Sequence, residues 1–186
     1  MAKVEAFVTS WLEAQTVNKE GRAAGQQPVQ CWGRPTAGML KVNVDAAIRE
    51  GSCGLGWCIR DDTGQFVAGG ASPRQGVVSV LEAELIGIRE ALSWLLDSEW
   101  RDVEVESDAS LAIMEITKGS SNSSYGLVAD DVRDIAKNFS GISFSHIRRS
   151  TNRAAHALAQ MACSLLILSI GFMYLLHLFP LYWTMI

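Results

Sequence analysis

The stretch Leu40-Lys41-Val42-Asn43-Val44-Asp45 decides how this chain folds, because its apolar residues alternate strictly with polar ones. A period of two puts Leu40, Val42 and Val44 on one face of an extended segment and Lys41, Asn43 and Asp45 on the other, the mark of a β-strand with two unlike faces. Working outward, a second strand is expected over residues 53–60, across a turn that contains Gly51. The run Asp61-Asp62-Thr63-Gly64 signals a tight turn before a third strand over 65–71, so this part of the chain reads as an antiparallel meander.

The period then changes. Leu81, Leu85, Ile88, Leu92 and Leu95 recur at spacings of four and three, which places them on one face of a helix over residues 79–98. Val103 and Val105 alternate with Glu104 and Glu106 as a fourth strand, which enters a helix over 110–117. A Ser-rich loop over 119–126, a helix over 127–138, a strand over 142–147 and a last helix from Asn152 complete the pattern. A hairpin run followed by helix–strand alternation predicts an α/β fold in three layers, a mixed sheet covered by helices.

The chain has 186 residues, 48% of them hydrophobic and 19% charged, which is the content of one folded domain and excludes a disordered polymer. A net charge of −4 argues against a protein that grips nucleic acid by bulk charge, so any such contact must be local. Cys31, Cys53, Cys58 and Cys163 form no CxxC pair, and no His stands at zinc-finger spacing from them. Neither structural zinc nor a disulfide framework is indicated, which fits a reducing intracellular compartment, cytosol or nucleus. Lys3, Glu5 and Glu13 interrupt the region where a secretory leader would be apolar.

Residues 1–38 read as an N-terminal helix and a polar linker, 39–163 as the folded domain and 164–186 as a hydrophobic tail; no charged residue follows Arg153. The apolar run 165–179 falls short of the roughly 20 residues that span a bilayer, whereas 161–179 comes within range. A membrane anchor, with Arg148, Arg149 and Arg153 on its cytosolic side, therefore stands beside an aberrant chain end as an alternative; length and the missing linker favour the latter.

Three acids stand where solubility alone would not put them. Asp45 lies within or at the end of a strand, where Asp is disfavoured unless it belongs to the turn. Glu84 sits at the edge of the apolar helix face, able to look toward the sheet or to serve as an ordinary boundary residue. Asp108 follows a strand and precedes a helix, the place of an N-cap. Brought to adjacent strand ends, the three would raise one another's pKa until a divalent ion neutralised them, and hard oxygen donors suit Mg²⁺ or Mn²⁺.

Four motifs in order carry a family resemblance: Leu40-Lys41-Val42-Asn43-Val44-Asp45-Ala46-Ala47, then Glu82-Ala83-Glu84-Leu85, then Glu106-Ser107-Asp108, and last the run from His146 through Arg148, Arg149, Asn152 and Arg153 to His156 and Ala159. Together they resemble the ribonuclease H type 1 domain, above all its plant retroelement-derived, reverse-transcriptase-like branch, which also carries a lead-in like Trp32-Gly33-Arg34-Pro35. The resemblance covers residues 32–163. It implies a ribonuclease H-like three-layer fold with a five-stranded mixed sheet, and endonucleolytic hydrolysis of the RNA strand of an RNA–DNA hybrid with two Mg²⁺ or Mn²⁺ ions.

By motif, Asp45, Glu84 and Asp108 are the leading metal-binding and catalytic acids. His156 stands four residues after Asn152, on the same helix face, where active members place a fourth carboxylate. As a metal ligand and catalytic residue it implies a second ion bound more weakly as Mg²⁺ and relatively better as Mn²⁺. His146 matches a loop His implicated in assisting the leaving group or product release, with a strand-end surface His as the alternative. Arg148, Arg149, Asn152 and Arg153 are the implied nucleic-acid contacts, directed to phosphates and minor-groove 2′-hydroxyls and therefore without sequence specificity. Two readings follow: a monomeric hybrid ribonuclease, or a catalytically weakened nucleic-acid-binding module, tethered to a membrane if the tail anchors.

Overall fold

The computed structural model describes residues 32–49, 52–75, 79–119 and 124–167. The expected N-terminal helix, the linker up to residue 31, the Gly51 turn, the middle of the Ser-rich loop and residues 168–186 of the apolar tail lie outside these. Among the described residues five strands are present, β1 (Leu40–Arg49), β2 (Ser52–Arg60), β3 (Phe66–Gln75), β4 (Asp102–Ser107) and β5 (Gly141–His146). The helices described with them are α1 (Val80–Leu96), α2 (Ser110–Lys118), α3 (Ser124–Ala136) and α4 (Arg153–Ile167), with a 3-10 turn at Arg149–Thr151 leading into α4.

The strands form one sheet in the order β3-β2-β1-β4-β5. The meander β1-β2-β3 is antiparallel, while β4 runs parallel to both β1 and β5. This is the mixed five-stranded α/β sheet that the alternation of elements predicts. Leu40, Val42 and Val44 face α1, whose Leu85, Ile88, Leu92 and Leu95 are fully buried against them. Ser79 caps that helix by accepting the Glu82 N–H at 3.1 Å, which satisfies one of the four free donors of the first turn. On the opposite face α4 lies across β1, β2 and β3 and packs Ala154, Leu158 and Ala162 against Cys58 and Ala71.

The polar face of β1 is not a solvent face. Lys41, Asn43 and Asp45 are 5%, 1% and 2% exposed, because β1 is the central strand and both its faces are covered. Toward its N-terminal end the cover is the lead-in, which packs on the sheet although the sequence reading placed the domain start at residue 39. Trp32 Nε1 donates to Asn43 Oδ1 at 2.8 Å, and Asn43 Nδ2 donates to Glu106 Oε2 at 2.9 Å. Lys41 Nζ pairs with Glu106 at 2.8 Å and donates to Gly33 O at 2.9 Å, with the Trp32 ring beside it. Each buried polar group thus keeps a partner, without which its burial would be costly.

Other differences have simple causes. β3 runs to Gln75, past the expected residue 71, and takes in Pro73; β3 is an edge strand, where a missing N–H breaks no second ladder. α3 begins at Ser124, so the Ser-rich stretch supplies its first turn. α4 continues without a break through the expected boundary after Cys163 to Ile167. Among the described residues no helix is long and apolar enough to cross a membrane.

Close approach of α4 to the sheet depends on Gly54 and Gly56. A Cβ at Gly54 would overlap the backbone of Ala159 and Cys163, and one at Gly56 that of Ala155, Leu158 and Ala159. Gly56→Ala is expected to cost about 1–3 kcal/mol in urea unfolding, since backbone rather than a flexible side chain must give way; an unchanged midpoint would contradict this packing.

Candidate active site

Parallel pairing of β1 with β4 sets Val44 beside Ser107, so the residues one step further, Asp45 and Asp108, emerge together. The ladder ends there. β1 continues to Arg49 while the chain leaves β4 after Ser107, and two backbone groups on that side of β1 are left for side chains to satisfy. Glu84 Oε1 accepts the Ala46 N–H at 3.3 Å, and its Oε2 accepts from Ser107 Oγ at 3.4 Å, so α1 bridges the two strands. Asn152 Nδ2 donates to Val44 O at 2.8 Å and to Asp108 Oδ1 at 2.6 Å. One turn further along α4, His156 Nδ1 lies 2.6 Å from Asp45 Oδ2, and Arg149 Nη2 is 3.3 Å from both nitrogens of that ring.

Asp45, Glu84, Asp108 and His156 therefore meet, from β1, α1, the connection after β4 and α4. Asp108 is not the cap of α2: that position is Ala109, which makes no side-chain cap bond, and Ser107 Oγ accepts the Ala109 N–H at 3.1 Å instead. Sequence reasoning passed over Ser107, whose fully buried hydroxyl ties Glu84 to the start of α2; a Ser immediately before a charged helix entry was the available signal. Asn152 departs from the nucleic-acid contact expected of it. It is 1% exposed, spends its amide donors inside the protein and closes the 3-10 turn, so it clamps rather than binds. Arg148, Arg149 and Arg153 are exposed around the N-terminal end of α4. His146 is exposed at the end of β5, opposite Ser107 in register, and no hydrogen bond among the described residues joins it to the acids.

Residues 43–162, which contain all four of the converging side chains, match the reverse transcriptase-like family. The chain belongs to that family. A provisionally named ribonuclease H protein of Arabidopsis thaliana is 31% identical over 152 residues, covering 76% of this chain; the chain spans only 23% of that relative's length. The crystal structure of RNase H1 from the halophilic archaeon Halobacterium salinarum NRC-1 aligns with a TM-score of 0.63 at 25% identity, covering 68% of this chain and 98% of the archaeal one. LC11-RNase H1, isolated from compost and crystallised in complex with an RNA/DNA hybrid, shares the fold at a TM-score of 0.63 and 18% identity, covering 69% of this chain and 99% of that one.

Within this reverse transcriptase-like domain the acids stand in one another's way. Burial pushes the Glu84 carboxyl up to about 9, with the charges of Asp45 and Asp108 adding to it against the Ala46 N–H and the Ser107 hydroxyl. Asp45 is pushed up to about 6, again by burial first, with Asp108 raising it and the hydrogen bond from His156 opposing. Such mutual repulsion is what a divalent cation relieves, and carboxylate oxygens are the donors Mg²⁺ and Mn²⁺ prefer. Asn152 Oδ1, buried without a partner beside these groups, is one more unspent oxygen. Among the described residues no three His, Cys, Asp or Glu side chains stand, as placed, where they could hold a metal ion together. The three acids fit a hard ion by chemistry, whereas His156 has its Nδ1 committed to Asp45.

Both shifted acids bind a proton more tightly folded than unfolded, so they favour the folded domain fully below the ordinary carboxyl range, and that contribution is lost as pH rises toward about 9. In chelator, the urea midpoint of the domain is expected to fall as pH is raised through this window, and Glu84→Gln is expected to flatten the fall; an equally steep profile in the variant would refute the assignment. Asn152→Ala strands Val44 O and is expected to cost about 1–3 kcal/mol by the same measurement.

Proposed function

We propose that this domain hydrolyses the RNA strand of RNA–DNA hybrids, endonucleolytically and with Mg²⁺ or Mn²⁺. The reading is carried by the convergence of Asp45, Glu84 and Asp108 where β1 outruns β4, inside the family match. It is supported by the ribonuclease H names of the Arabidopsis and archaeal relatives, and by the hybrid bound in the compost enzyme's crystal structure. The chemistry that divalent ions supply at such a cluster is Lewis acidity, a lowered water pKa and charge opposite the leaving 3′ oxygen.

The chain's own residues do the rest. Asp45, Glu84 and Asp108 would hold the ions, while Asn152 keeps Asp108 and the end of β1 in one place. Arg148, Arg149 and Arg153, exposed beside the cluster, neutralise phosphates locally despite the acidic total, which gives affinity without base readout. To His146, exposed at the strand end beside Ser107, we assign the holding or giving of a proton to the departing oxygen once substrate lies across the cluster.

Removing a group that merely orients a metal ligand already costs about 10–100-fold. Asp45→Asn is therefore expected to lower cleavage of a labelled hybrid at least about 100-fold. Cleavage equal to wild type would end the hydrolase reading. Arg148→Ala and Arg153→Ala are each expected to weaken hybrid binding at every sequence tested and to reduce its salt slope by about one. The second reading, a weakened nucleic-acid-binding module, is favoured by one observation, the His156 ring set against Asp45; salt-sensitive binding without cleavage in either metal would select it.

A further inference from the structure

His156 is where the donor set leaves carboxylate chemistry, and its contacts define a different job from ligation. Its Nδ1 is 2.6 Å from Asp45 Oδ2. An ionised carboxylate only accepts, so the ring proton sits on Nδ1 and that lone pair is closed to an ion. Arg149 Nη2 is equidistant, at 3.3 Å, from Nδ1 and Nε2, so the guanidinium lies against the ring rather than on one lone pair. An ion approaching Nε2 would meet a fixed positive charge at short range.

The carboxylates are already partly spent. Asp45 Oδ2 takes His156, Asp108 Oδ1 takes Asn152, and the two Glu84 oxygens take Ala46 N–H and Ser107. Charge points the same way. One divalent ion together with the Arg149 guanidinium balances three carboxylates, and a second ion would leave the site strongly positive before any phosphate arrived.

We propose that the cluster seats a single divalent ion, and that the Arg149 guanidinium, lying against the His156 ring, is a built-in positive charge in place of a second one. His156 is then a positioning residue that holds Asp45, not a metal ligand. The inference rests on the reading of Asp45, Glu84 and Asp108 as the ion site, and it replaces the two-ion arrangement and the His156 ligand that the motif resemblance implies.

The test uses Mn²⁺ as the probe on the full chain, with bound ions counted by electron paramagnetic resonance and coordinated nitrogen sought by electron spin echo. Expected are one bound Mn²⁺ per wild-type chain with no imidazole nitrogen coupling, and two per chain in His156→Asp, which frees Asp45 Oδ2 and adds a carboxylate. Two ions in wild type, no ion at all, or a nitrogen coupling that His156→Ala removes would each overturn the proposal. The wild-type count and spectrum stand even if a variant fails to fold. Two bound ions with hybrid cleavage would end this inference and leave the hydrolase reading intact. One bound ion without nitrogen coupling in a chain that cannot cleave would support this inference and end the hydrolase reading.

Discussion

The site depends on a mismatch in strand length. β1 runs on to Arg49 after β4 has stopped at Ser107, and the backbone of Val44 and Ala46 must be satisfied by something other than a strand. A buried carbonyl or N–H without a partner costs enough that the sequence supplies two side chains there, Asn152 to the carbonyl and Glu84 to the N–H. Glu84 comes from α1 and Asn152 from the residue that leads into α4, on opposite faces of the sheet. Completing the sheet and assembling the site are therefore one event, and the acids are held by the requirement that no strand end be left open.

The helix that delivers Asn152 and His156 is placed by what is missing. Gly54 and Gly56 remove the side chains that would hold α4 away from β2, and the facing residues Ala155 and Ala159 are small as well. The short seam keeps the N-terminal end of α4 within reach of Asp45. A methyl group at Gly56 would press on Ala155, next to His156, and push the helix from the strand, lengthening the bonds of Asn152 to Val44 and of His156 to Asp45.

The sheet and its helices were legible because periods of two and four-and-three are local properties of the chain, and Leu40 to Val44 and Leu81 to Leu95 show them without interruption. Convergence of the acids was legible only through the order of four motifs, since no local pattern tells that Glu84 looks inward rather than along the helix surface. What stayed hidden was the polar interior. Lys41 and Asn43 read only as the polar one of two unlike faces; they are covered by Trp32 and its neighbours, a contact between segments whose pairing leaves no periodic trace. Asn152 stands in a run of arginines, so its composition spoke for a surface loop; its burial follows from the unpaired carbonyl of Val44, a property of the register of two other strands. Ser107 was overlooked for the same reason, its task being set by where β4 ends.

Natural sequences keep charges apart in a buried site unless something is gained by crowding them. Here burial and mutual repulsion drive both Glu84 and Asp45 toward their neutral forms, so the ionised cluster is a burden on the fold by itself. Part of that burden is relieved from within. The His156 ring donates to Asp45, and Asn152 donates to Asp108. Glu84, with only two long hydrogen bonds to offset its burial, is the acid left least compensated. A ligand that brings positive charge to this cluster gains most by ionising Glu84, whose proton it must displace, and least by approaching Asp45 from the side that His156 already occupies. Internal compensation thus sets a direction: the open electrostatic demand is greatest at Glu84, and that is where added positive charge stabilises both the fold and the site.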